Sequence, residues 1–69
     1  MYKVGDTVII VDASTFTPGI KVGDKATINS IIDGSGACLY FKETDMYQFC
    51  DISDIRPLNM FYMGIEWQN

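Results

Sequence analysis

Along most of this chain, apolar and polar positions alternate with the two-residue period of strands, and clusters of Gly, Asp, Ser and Thr interrupt the alternation. Residues 7–11, Thr-Val-Ile-Ile-Val, are rich in β-branched side chains and predict a first strand. Residues 25–32 predict a second, with Ala26, Ile28, Ser30 and Ile32 on one face and Thr27, Asn29 and Ile31 on the other. Asp33-Gly34-Ser35-Gly36 has the composition of a hairpin turn. A third strand over 37–42 and a fourth over 46–50 follow, joined by the polar Glu43-Thr44-Asp45. Residues 51–55 read as a helical turn with Asp51 as its cap. Ile55-Arg56-Pro57-Leu58 makes a short last strand, at an edge where Pro57 withholds no ladder donor.

A register for the third and fourth strands follows from taking Glu43-Thr44-Asp45 as the whole loop. Lys42 then faces Met46, Phe41 faces Tyr47, Tyr40 faces Gln48, Leu39 faces Phe49 and Cys38 faces Cys50. One face collects Ala37, Leu39, Phe41, Tyr47 and Phe49 as core. The other collects Cys38, Tyr40, Lys42, Met46, Gln48 and Cys50 as an exposed side. Cys38 and Cys50 become neighbours, testable by mild oxidation, because a disulfide needs Cβ atoms about 4 Å apart.

A repeat accompanies this pattern. Lys3-Val4-Gly5-Asp6 precedes the first strand and Lys21-Val22-Gly23-Asp24 precedes the second. Each places turn chemistry ahead of a β-branched run. Between them lies a long loop, residues 12–23, with Phe16 and Ile20 as apolar inserts. A loop of this kind packs through its own side chains and often carries function. Phe16 has two readings, a plug for the open end of the sheet or a partner contact.

The Val-Gly-Asp strand, the Pro18-Gly19 loop, the second Val-Gly-Asp strand, the Asp33-Gly34 turn, the aromatic strand pair and the closing Ile55-Arg56-Pro57-Leu58 form a recognisable order. Over residues 2–58 it resembles the SH3-like barrels related to the KOW modules, and short SH3-like proteins of bacteria and phages. The resemblance implies an all-β, five-stranded SH3-like barrel over residues 1–58, with a short helical turn before the last strand. It also implies binding of protein or nucleic acid without catalysis. The ALYDY-type signature of the proline-peptide binders is missing.

Charge and chemistry narrow these expectations. The chain has 69 residues, one small domain, with five basic and nine acidic residues and a net charge of -4. Its affinity is not expected to come from neutralising phosphates, and the loop over residues 12–20 has no Lys or Arg. With no His, the commonest general base and metal ligand is missing. No catalytic, cofactor-binding or metal-binding residues are expected. Asp51 and Asp54 read as a capped, solvated turn rather than an acid dyad. The two cysteines alone make a poor zinc site and are expected to stay free thiols. No apolar run approaches the roughly 20 residues of a membrane span, and the first residues lack the apolar stretch of a secretory signal, so a cytoplasmic protein is expected.

The last segment, residues 59–69, is Asn-Met-Phe-Tyr-Met-Gly-Ile-Glu-Trp-Gln-Asn. Alternation puts Phe61, Met63, Ile65 and Trp67 on one face. This C-terminal extension has three readings: an added strand on the barrel, a homodimer contact, or a partner-binding segment. Candidate contacts are therefore Phe16, Tyr40, Phe61, Tyr62 and Trp67. The function expected is protein binding by a small acidic accessory protein that modulates or inhibits a host protein, with acids in the turns at Asp12, Asp33, Glu43, Asp45, Asp51 and Asp54. A KOW-like nucleic-acid or transcription-complex binder is the alternative, and a small molecule at the barrel end is a third class.

Overall fold

The computed structural model describes residues 2–58. The architecture is all-β. Strands β1 (Thr7–Ile10), β2 (Lys25–Ile31), β3 (Gly36–Phe41), β4 (Met46–Asp51) and β5 (Ile55–Pro57) form one antiparallel sheet in the order β4-β3-β2-β1-β5. A 3-10 turn, Ile52–Asp54, precedes β5. Asp51 holds its N-cap position but makes no side-chain cap bond. Among the described residues no helix is long and apolar enough to cross a membrane.

The repeat has a structural counterpart. In each copy Gly occupies the third turn position with positive φ, +95° at Gly5 and +98° at Gly23, as a type II turn requires. The Asp6 carboxylate accepts from the Lys3 amide at 2.9 Å, and Asp24 accepts from Lys21 at the same distance. The two copies then close on each other. The Gly5 amide donates to the Ile28 carbonyl and the Gly23 amide to the Ile10 carbonyl, both at 2.8 Å. The Ile28 amide returns to the Asp6 carbonyl and the Ile10 amide to the Asp24 carbonyl, both at 2.9 Å. Val8 pairs with Ala26, its counterpart in the repeat, so a local two-fold axis passes through the β1–β2 ribbon.

The inner faces of all five strands meet in one core. Val8, Ile10, Ala26, Ile28, Ala37, Leu39, Phe41, Cys50 and Ile55 are buried together. Phe16 enters this core from the long loop, 8% exposed, and meets Phe41 edge to face with centroids 6.4 Å apart. The loop is tied down at several points. Thr15 donates to the buried Asp54 carboxylate, the Val11 and Asp12 amides donate to the Asp54 carbonyl, and Thr17 bonds the Gln48 side chain.

One expected register and one expected alternation are corrected. The β3–β4 hairpin pairs Phe41 with Met46, Tyr40 with Tyr47, Leu39 with Gln48, Cys38 with Phe49 and Ala37 with Cys50. The loop is thus one residue longer than expected, and Asp45 takes positive φ, +54°, a conformation Asp tolerates. A one-residue slip reverses faces. Tyr47 and Phe49 therefore point out, and Cys50 points in. In β2 a bulge between Ile28 and Ser30 changes the alternation, so Ser30 pairs with Cys38 and Ile31 with Ala37.

Candidate aromatic binding face

The corrected register assembles a surface that the alternation alone does not predict. Tyr47 is 61% exposed and Phe49 67% exposed, both on edge strand β4. Tyr40, directly opposite Tyr47 on β3, places its ring 4.9 Å from that of Tyr47. The Tyr40 hydroxyl donates to Asp45 Oδ1 at 2.9 Å, which fixes the ring and raises the Tyr40 pKa above the usual phenol value. Asp45, in the turn between the two strands, thus also orients the aromatic pair. Isolated exposed apolar residues are ordinary, whereas contiguous outward aromatics mark an interaction surface.

Beside Phe49 lies an open depression of about 400 Å³, walled also by Ile32, Ser35, Gly36 and Thr15. Ile32 is 55% exposed and adds apolar area. Asp33 and Asp51 lie on its rim, and no Lys or Arg lines it. The Ser35 amide and hydroxyl both donate to Asp33 Oδ1, the amide contributing most to holding the Asp33 carboxyl below its usual pKa. With Asp45 at Tyr40, the aromatic face is edged by acids on several sides. A second concavity of about 560 Å³ lies between Pro18-Gly19-Ile20 and the β3–β4 turn, where Asp24, Lys25, Lys42 and Glu43 mix both charges.

The sequence-derived candidates separate. Tyr40 is on the face, but beside Tyr47 rather than Gln48. Phe16 is placed in the core, where a partner arriving from solvent meets little of it. Phe61, Tyr62 and Trp67, with the added-strand and dimer readings of the extension, lie outside the described residues. Tyr47 and Phe49 are the residues that sequence reasoning assigned to the core. The signal that could have found them is Asp45, a residue able to extend the turn by adopting positive φ.

Both thiols of the chain are enclosed. Cys38 and Cys50 are free, each 8% exposed. Burial, then the nearby Asp54 and Asp51 charges, push the Cys50 thiol up to about 11, away from thiolate reactivity. Among the described residues no three His, Cys, Asp or Glu side chains converge as a metal site. Comparison with protein-family models, curated proteins and solved structures found no match for the chain.

Proposed function

We propose that this chain is a non-catalytic protein-binding module that docks its partner on the outer face of β3 and β4. The observation that carries the reading is the outward Tyr47 and Phe49 beside Tyr40, edged by Asp33, Asp45 and Asp51. Aromatic anchors inside a polar rim are the composition of interface hot spots. The acidic rim fits a partner whose contact surface is apolar at its centre and basic around it. It repels phosphates, which weighs against the KOW-like alternative. The sequence resemblance to small barrels of bacteria and phages agrees with an accessory role that modulates a host protein, and we place that role in the cytoplasm.

The test begins with capture on the full chain from its native extract, followed by purification of the bound protein. Its affinity is then compared for the unmodified chain and for a Tyr47→Ser, Phe49→Ser double variant. The double variant is expected to weaken binding by at least about tenfold, equivalent to about 1.4 kcal/mol. Added salt is expected to change the unmodified affinity far less than it changes phosphate binding. Unchanged affinity in the double variant, or steeply salt-dependent binding of nucleic acid, would replace this reading.

A further inference from the structure

The two edges of the sheet differ in how they are guarded. Strand β5 has three residues, and two of them are Arg56 and Pro57, residue types that discourage further pairing. Strand β4 has six residues, Met-Tyr-Gln-Phe-Cys-Asp, with no Lys, Arg or Pro and an unbroken register against β3. Among the described residues β4 pairs with β3 alone. Which of its backbone groups stay open follows from the ladder. The Ile52 amide donates to the Ser35 carbonyl at 2.8 Å. In an antiparallel pair, hydrogen-bonded partners alternate with non-bonded ones. Continuing the register makes Cys50–Ala37, Gln48–Leu39 and Met46–Phe41 the bonded pairs. The N–H and C=O groups of Asp51, Phe49 and Tyr47 then point away from β3. The 4.9 Å approach of the Tyr40 and Tyr47 rings fits a non-bonded pair, where side chains are closer. The Gln48 Nε2 donates to the Phe49 carbonyl at 3.3 Å, which places that carbonyl on the open side. The residues that offer backbone groups are thus the ones that carry the outward rings.

We propose that the open edge of β4 takes an added antiparallel strand from its partner, an extended segment that is apolar at its centre and basic at its ends. Main-chain bonds to Tyr47 and Phe49 supply the pairing, and the segment's side chains opposite them lie against the two rings on the outer face. One basic residue then falls opposite Asp51, close to Asp33 on the rim of the depression beside Phe49. A second basic residue reaches Asp45 at the other end of the strand. The segment reads basic-x-apolar-x-apolar-x-basic. A second copy of β4 is a poorer occupant. Its full-overlap antiparallel register, centred on Gln48, sets Asp45 of each copy against Asp51 of the other, and like charges directly opposite are destabilising. This inference rests on the proposed binding face and adds how that face recognises its partner.

The probe is a seven-residue peptide, acetylated and amidated, with Lys first and last, Val third and fifth, and Thr between. It is titrated into the unmodified, isotope-labelled full chain, so no variant has to fold. Amide signals of β4 are expected to shift. Exchange of the Tyr47 and Phe49 amides, fast in the free chain, is expected to slow about tenfold at a peptide concentration about ten times its Kd. N-methylation of the third and fifth peptide residues removes the donors that face β4 and is expected to weaken binding at least about tenfold. N-methylation of the fourth, whose N–H faces away, is expected to change affinity less than about threefold. Exchanging both Lys for Glu is expected to weaken binding at least about tenfold. Slow exchange of both amides in the free chain would show an edge already paired and overturn the proposal. So would equal losses from the two N-methylated peptides, or the absence of shifts at millimolar peptide. If the strand fails in this way while Tyr47→Ser, Phe49→Ser still weakens binding of the purified partner, the binding face stands and reads something other than a strand. If that variant leaves the partner's affinity unchanged, the binding face itself fails.

Discussion

Gly5 and Gly23 show how single positions set this fold. Space is not the constraint, because a Cβ at either would meet nothing within 4 Å. The constraint is the positive φ of each, which costs an L side chain about 1–2 kcal/mol. Gly5→Ala and Gly23→Ala are each expected to destabilise by about 1 kcal/mol in urea unfolding. The two losses should be similar, because the two turns make the same bonds to each other's strands. Cys50 gives a pH prediction at the same scale. Its native thiol titrates at about 11 against an ordinary 9.0, so between these values the unfolded chain has released a proton that the native chain keeps. Stability is therefore full below pH 9.0 and falls as pH rises towards about 11. Tyr2, raised chiefly by burial, adds to the fall in the upper part of that range. Denaturant titrations of Cys50→Ala should show a shallower slope than the unmodified chain.

The β3–β4 hairpin is the element whose registry decides what the surface is. The strands themselves were legible from alternation and turn residues, and so was the helical turn before β5. The hairpin register was not. Putting Tyr47 and Phe49 inside looked reasonable because segregating aromatics from polar residues is how a core is usually recognised. The interior did not need them, since Phe16 arrives from the long loop to meet Phe41, and Leu39 and Ile28 are fully enclosed. Apolar residues then remain outside, which breaks the simple pattern at the place where function is proposed. The bulge at Asn29 was equally hidden, because no local residue type demanded it. The register predicts a chemical result. Cys38 and Cys50 lie on opposite faces, Cys38 in the row with Ser30 and Phe49, and Cys50 in the core. Mild oxidation of the folded chain is expected to give no intramolecular disulfide, read by mass spectrometry after alkylation. A rapid Cys38–Cys50 bridge would restore the shorter loop.

Across residues 2–58, the parts divide into a scaffold and an outward aromatic face. The repeated turns lock β1 and β2 through a local two-fold, and their tips expose Val4 and Val22, 65% and 64% accessible. The Asp54 carbonyl and carboxylate tie the long loop to the 3-10 turn, which leaves that loop occupied with structure. What stays outward and contiguous is the aromatic surface of β3 and β4 with its acidic border. The all-β, five-stranded order could be read from the order of motifs, but the outward aromatic face could not, because it exists only in the observed β3–β4 register.

The claim that this face binds the partner is tested most directly by calorimetry of the purified partner against two full-length double variants. Tyr47→Ser, Phe49→Ser removes the face, and Val4→Ser, Val22→Ser removes equally exposed apolar residues from the scaffold turns. The account predicts at least about tenfold weaker binding for the first and near-unchanged binding for the second. Loss confined to the valine variant, with the aromatic variant binding as the unmodified chain does, would contradict it.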